Sequence, residues 1–455
     1  VEHFPEAAET QPELLAHHYT EAGLAAEAVA YWQRAGAHST ARSAYAEAAA
    51  HCTRGLEVLQ TLPDTPTRAQ QELPLLLTLA GALGVIKGFA APEVGQVLSR
   101  ARELCHHAGD TPELFDILLG LGGRYYQNRG ELQTALALVE QALTLAQRLH
   151  DPVLLIRAHG QLGINLYNLG VPAPALTHLD QALTLPVSQP ERPLIVIRSE
   201  PRLMPLACAA LTLWTLGYPD QALTRLHELL ALVQGLADPF SMARTLHYAT
   251  SLHLMRREWA IAQARAEAGL ALSTERGFEQ WVGGLTIQRG QALAAQGQYE
   301  EGIAQMRLGL AAKQAAGAES WRPGDLAHIA EAYGRSGQAE AGMQLLDEAR
   351  AWMVKHGEDG TAASVYRIQG EVLLRHVVPD VTQAAACFQQ ALDVARRQQA
   401  RSLELRAAMS LSCLWQRQGK RAAAYDLLAP LYSWFTEGFD TPDLQDARAL
   451  LEALA

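Results

Sequence analysis

Glycines at 130, 170, 217, 297, 337 and 419 head one recurring spacing: a mostly small residue five on, a bulky one nine on, and another small one twelve on. From Gly170 these are Ala175, Leu179 and Ala182; from Gly130, Ala135, Val139 and Ala142; from Gly337, Gly342, Leu346 and Ala349. Gly217, Gly297 and Gly419 repeat it, with Leu229 and Leu431 standing at the twelfth place after the first and last. Gly23 opens an early copy (Ala28, Trp32, Ala35), and Phe89, Arg257 and Pro379 head degenerate ones. Upstream the pattern continues: Leu162-Gly163 and Leu166 precede Gly170 as Gly122-Gly123 and Tyr126 precede Gly130. Small residues at these offsets let two antiparallel helices approach closely while the large ones interdigitate. The anchor glycine ends the first helix in a left-handed turn that other residues adopt only at a cost. One such pair cannot bury its own apolar stripe, so neighbouring pairs must stack.

These residue types at these spacings resemble the tetratricopeptide repeat, L-G-x-x-Y, then G, then A-x-x-x-F-x-x-A. The resemblance implies an all-α, right-handed superhelical solenoid of about ten antiparallel helix pairs. Anchors at 89, 130, 170, 217, 257, 297, 337, 379 and 419 lie mostly 40 residues apart, against about 34 in the common repeat. The surplus predicts longer helices. Asp151-Pro152 and Asp238-Pro239 are suited to start them, since Asp caps and Pro fits the first turn. Longer pairs of this kind are similar to the sensor arms of bacterial signalling ATPases such as the maltose-regulon activator family. One interval, of 47 residues, carries Leu185–Pro205, which is read as a surface excursion. The GVPAP stretch at 170–174 joins no two domains: it is the turn of one repeat, with Pro172 opening the second helix.

Composition narrows the function classes. The 49% hydrophobic and 19% charged content is that of a globular chain, and the scarcity of β-branched residues favours helix. A net charge of −11 with no dense Lys/Arg cluster argues against a nucleic-acid partner. No apolar run approaches the ~20 residues of a membrane span, and residues 1–19 lack the features of a signal peptide. Five scattered cysteines (Cys52, Cys105, Cys208, Cys387, Cys413) suit helix packing in a reducing compartment, which predicts a cytoplasmic location.

The two ends are more specific. FPEAAETQPELLAHHYTEAGLAAEAVAYWQRAG (Phe4–Gly36), GLEVLQTLPDTPTRAQQEL (Gly55–Leu73), APEVGQVLSRARELC (Ala91–Cys105) and WFTEGFDTPDLQDARALLEALA (Trp434–Ala455) are similar to the C-terminal region of certain bacterial multidomain proteins. Those proteins join a class III adenylate/guanylate cyclase domain to a STAND-type ATPase and a helical repeat tail. The resemblance implies that this chain is the tail, and the absence of Met at Val1 fits further sequence upstream. It predicts residues 1–60 as repeats joining an ATPase part, 61–440 as the main array, and 441–455 as a capping helix. Its implied role is non-catalytic: the sensor or regulatory arm of a signalling ATPase, binding a protein, a peptide or a small-molecule inducer. The alternative is a general scaffold without a switching role.

No catalytic signature contests this. GGLTIQRG (Gly283–Gly290) lacks the lysine of a phosphate-binding loop and falls on a repeat helix. His17-His18 and Cys105-His106-His107 lack the spacing and companions of a metal set, and no G-x-S-x-G elbow occurs. No cofactor is expected. In repeats of this family the first-helix residues six, three and two before the anchor face the inner groove. That places Arg124, Gln127, Asn128, Tyr167, Asn168, Trp214 and Arg335 there, with Arg375 beside them four before Pro379, and Arg157, Arg244, His247 and Arg367 further up the same helices. Arginines, amides and large aromatics on one face are what ligand recognition uses.

Overall fold

The computed structural model describes residues 11–105, 109–186, 200–357 and 360–455; His106, His107 and most of the Leu185–Pro205 excursion lie outside them. Within them the chain is helix and turn, with no strand. It opens with α1 (Pro12–Glu21), α2 (Ala25–Ala41) and α3 (Tyr45–Leu59). The first pairs are α4 (Pro66–Lys87) with α5 (Pro92–Cys105), α6 (Pro112–Gly120) with α7 (Leu132–Leu149), and α8 (Pro152–Asn168) with α9 (Pro172–Thr184). Next come α10 (Leu203–Leu216) with α11 (Pro219–Gln234), α12 (Pro239–Met255) with α13 (Trp259–Arg276), and α14 (Glu279–Ala295) with α15 (Tyr299–Ala315). The last are α16 (Arg322–Arg335) with α17 (Ala339–His356), α18 (Ala362–Leu373) with α19 (Val381–Arg397), α20 (Arg401–Arg417) with α21 (Arg421–Trp434), and the single α22 (Pro442–Leu454). This is the tetratricopeptide-like solenoid that the spacing predicts, with helices of 17 and 18 residues, such as α8 and α7, accounting for the long period.

The anchors behave as their chemistry requires. Gly130, Gly170, Gly217, Gly297, Gly337 and Gly419 all have φ between +74° and +99°, and Arg257 at a degenerate anchor is itself left-handed at +63°. The small residues of the pattern are fully buried, among them Ala135, Ala142, Ala175, Ala182, Ala384 and Ala391, and so are the knobs Val139, Leu179, Met306, Leu346, Phe388 and Leu428. Burial of each such knob stabilises by about 1.5–3 kcal/mol. The Gly283–Gly290 stretch is explained here. Gly290 faces Gly302, and a methyl group on either would lie 2.6 Å from the other's carbonyl oxygen; one on Gly309 would lie 2.5 Å from that of Gly283. Glycine at these four places sets the close approach of α14 and α15. Asp151 accepts hydrogen bonds from the amides of Val153 and Leu154, and Asp238 from that of Ser241, so both Asp-Pro pairs start helices as expected.

One expectation needs correcting. α4 is 22 residues long and apolar enough to cross a membrane by length and composition. Its uncharged stretch, Leu73–Ile86, is bounded by Glu72 and Lys87 and by itself falls short of a span, which is why the sequence does not announce it. Its Leu75, Leu77, Ala80 and Val85 are core residues, buried among neighbouring helices. Four of the five cysteines are buried, and all five are free.

The stack winds back onto itself. The Phe89 amide donates to Gln280 Oε1 at 3.0 Å, and the amides of Glu319 and Ser320 donate to the Asn128 carbonyl at 2.8 and 3.0 Å. Ser402 Oγ donates to the Trp214 carbonyl at 2.5 Å, across 188 residues of chain. Further along, Glu437 accepts from the amides of Asp220 and Gln221, and Arg257 pairs with Asp443 and Asp446. The left-handed turns at Gly130, Gly170 and Gly217 thus abut turns between later pairs, at Glu319, Gly360 and Arg401, a little under five repeats on. A tighter pitch would clash and a looser one would leave the groove open. The winding therefore encloses what the sequence suggests as a groove.

Candidate ligand cavity

First helices line the axis of the superhelix. The longer helices extend the inner face upward, so that the residue nine before the anchor joins it in consecutive repeats: Gln161, Cys208, Tyr248, Gln288 and His328. Arg157 and Arg244 share a place thirteen before their anchors, and the corresponding residue of the α14 repeat is Gly284, against which the His247 ring sits. Arg124 is positioned differently. Residues Leu121–Tyr126 form a π-helical turn at the end of α6, and Gly122 and Gly123 within it admit Val139 and the Gln161 side chain. Such turns often mark functional sites, because the extra residue re-aims the side chains around it.

The result is a cavity of about 440 Å³, within the size range of small-molecule sites. Of the inner-face residues expected from the sequence, Arg124, Gln127, Asn128, Arg157, Tyr167, Asn168, Trp214, Arg244 and His247 all line it. Arg335, Arg367 and Arg375 do not. Arg335 pairs with Glu331 at 2.9 Å, Arg367 stands 4.0 Å from the same carboxylate, and Arg375 pairs with Glu371 at 3.0 Å. Wall residues that the offsets of the shorter repeat leave out include Gln161, Tyr248, Trp281, Gln288 and Arg406. The signal for Gln161, Tyr248 and Gln288 was the ninth position before each anchor.

Three arginines dominate the electrostatics of one end. Each guanidinium lies over a phenylalanine: Arg124 over Phe89 at 5.2 Å, Arg157 over Phe115 at 5.0 Å, and Arg244 over Phe240 at 6.0 Å. Stacking fixes a guanidinium without neutralising it. Arg157 has an acidic partner, Asp116, at 2.6 Å. Arg124 and Arg244 have no carboxylate within 4 Å among the described residues, and Arg124 Nη1 and Arg244 Nη2 are buried with no hydrogen-bond acceptor. His247 Nδ1 and Trp281 Nε1, on neighbouring walls, are also buried and unpaired. Loss of solvent, then the charges of Arg157 and Arg244, push Arg124 down to about 9. Arg244 is lowered too, first by burial. Burial, followed by the charge of Lys313, lowers His247 to about 4 and keeps its ring neutral.

The other end is balanced. Lys313 pairs with Asp325 at 2.6 Å, and Arg406 with Asp443 at 2.7 Å while lying 4.6 Å over Trp214. Amides join the walls: Gln161 Nε2 donates to Gln127 and Asn165, and Gln288 Nε2 to Ser251. The Tyr167 and Trp321 rings meet 5.7 Å apart where the two windings face each other. Burial pushes the Cys208 thiol up to about 12, which disfavours its nucleophilic thiolate form. Among the described residues no three His, Cys, Asp or Glu side chains gather as a metal set would.

Fold and cavity together define a class: a tetratricopeptide-like solenoid wound tightly enough to enclose a ligand-sized space. No family model and no curated protein matches the sequence. Among solved structures the chain is similar to a Rap protein complexed with competence and sporulation factor. Identity is 12%, the TM-score 0.57, and the match covers 82% of this chain and 99% of that one. It is also similar, with TM-scores of 0.37 and 0.36, to yeast Tom70 and to a STAND protein with a tetratricopeptide repeat sensor from Pyrococcus horikoshii. The first is 12% identical over 99% of this chain and 96% of its own; the second is 13% identical over 88% and 66%. At such identities the likeness is one of fold.

Proposed function

We propose that this chain is a non-catalytic, ligand- and partner-binding repeat domain, the sensor or regulatory arm of a bacterial signal-transduction ATPase linked to a cyclase. The observation that carries this is the origin of the cavity walls. Arg124, Arg157 and Tyr167 belong to the first winding, and Trp281, Trp321 and Arg406 to the second. A molecule held between them favours one superhelical pitch over others, and a change of pitch alters the surfaces offered to a protein or peptide partner. Residues 1–60 would join the array to the ATPase part, residues 61–440 form the sensing array and 441–455 cap it, all in the cytoplasm. The Rap protein of like fold is complexed with competence and sporulation factor; the role proposed for this chain rests on its own cavity.

The test is to titrate the chain against the ATPase part of the full-length protein, with and without a cavity ligand. Ligand-dependent association is the expected result. Association of equal strength in both conditions would refute the switch and leave the general scaffold as the reading.

A further inference from the structure

We infer that the cavity binds a small organic oxyanion, a carboxylate or a phosphate ester on an apolar body, with Arg124 and Arg244 as its two counter-charges. The inference deepens the sensor reading and rests on the cavity being a ligand site. It starts from an electrostatic imbalance. The other arginines and the lysine lining the cavity each have an acidic partner: Arg157 has Asp116, Lys313 has Asp325 and Arg406 has Asp443. Arg244 is only 8% exposed, yet among the described residues no carboxylate comes within 4 Å of it or of Arg124; Asp238 and Asp116 act on them only from further away. A buried cation without a counter-charge is costly, and proteins retain few of them without a use.

The geometry is suited to an anion. The Arg124 and Arg244 guanidiniums lie 5.2 and 6.0 Å from the ring centres of Phe89 and Phe240, which back them on one side and leave their free N–H groups for a ligand. Planar forks of this kind match carboxylate and phosphate oxygens. The idle donors at Arg124 Nη1, Arg244 Nη2 and Trp281 Nε1 supply additional hydrogen bonds. Trp281, Tyr248 and Phe240 offer apolar and aromatic surface beside them, which favours an organic body over a bare ion.

The experiment uses the 455-residue chain and three probes of similar size: phenyl phosphate, phenylacetate and the neutral phenylacetamide. Thermal unfolding and calorimetric titration at physiological salt read the outcome. One or both anions are expected to bind and to raise the melting temperature, with the amide inert. Which anion succeeds distinguishes phosphate from carboxylate. Arg244→Met should weaken binding by about tenfold or more. Without any anion it should also leave the melting temperature unchanged or raise it, because it removes a buried charge that has no carboxylate in contact. A merely structural arginine would show the opposite, a lower melting temperature in the free chain. Should Arg244→Met not fold, Arg124→Met is read in the same way, with Arg54→Ala on the exposed face of α3 as the control that keeps binding.

Failure of both anions, equal binding of the amide, or binding that survives Arg244→Met would overturn the inference. The sensor reading fails separately. A neutral ligand that shifts association with the ATPase part would sink the oxyanion alone, whereas an anion that binds and leaves association unchanged would sink the sensor alone.

Discussion

Alanine at four anchor glycines separates the cost of a local turn from the cost of closing the superhelix. Gly337 and Gly419 have φ of +85° and +75°, and a methyl group added there meets nothing within 4 Å. Gly337→Ala and Gly419→Ala should therefore cost only the left-handed penalty, roughly 1–2 kcal/mol. Gly130 and Gly217 have similar torsions, +74° and +99°, but lie where the two windings meet. A methyl on Gly130 would stand 2.7 Å from the Trp352 ring; one on Gly217 would stand 2.6 Å from Trp434 and 2.9 Å from Arg401 Cβ. Overpacking of that kind adds about 1–3 kcal/mol, so Gly130→Ala and Gly217→Ala should lose about 2–5 kcal/mol in total. Urea unfolding followed by circular dichroism measures the difference. The slopes need comparing as well, because an array of repeats need not melt in one step. Equal losses at all four sites would refute the contact between windings, and with it the enclosed cavity.

Two further outcomes follow from the same structure. Gly290→Ala or Gly302→Ala should cost about 1–3 kcal/mol, because the methyl meets the facing carbonyl and forces α14 and α15 apart; stability like that of the unmodified chain would show that the pair has slack. His247 is lowered from 6.5 to about 4 by burial and by Lys313, so its ring takes up a proton more readily after unfolding than before. Stability from this group is complete above pH 6.5 and falls as pH drops towards 4, by at most on the order of 3 kcal/mol. His328, also lowered by burial, acts in the same sense. His247→Gln should flatten the decline between those limits in denaturant midpoints taken across the range; an unchanged slope would mean that the ring is solvated.

The repeat was legible because each offset answers to a local requirement. Ala175 and Ala182 must be small, Leu179 must be large and Gly170 must turn, whatever the rest of the chain does. The winding was not legible, because pitch accumulates from small rotations between repeats and no single residue specifies it. Gly130 illustrates the ambiguity: its role as a turn already explains the glycine, so its second role against Trp352 leaves no separate mark in the sequence. Left-handed His150, Ala237 and Gln399 at turns between pairs carry no sequence signal for the same reason, since the surrounding helices impose the conformation. The cavity was half visible. Arg157, Arg244 and Tyr167 followed from the repeat's phase. Whether a given arginine is paired depended on acids no spacing predicts: Asp116 reaches Arg157, Glu331 takes Arg335, and no carboxylate among the described residues comes within 4 Å of Arg244.

Hydrogen exchange at the amides of Glu319 and Ser320 tests the enclosure most directly. They lie in a turn between helices, and their acceptor, the Asn128 carbonyl, belongs to the other winding. A closed superhelix predicts that both exchange far more slowly than an open turn would, and more slowly still when an oxyanion occupies the cavity. Exchange of both at the rate of a solvated turn would contradict the closed winding and the cavity that depends on it.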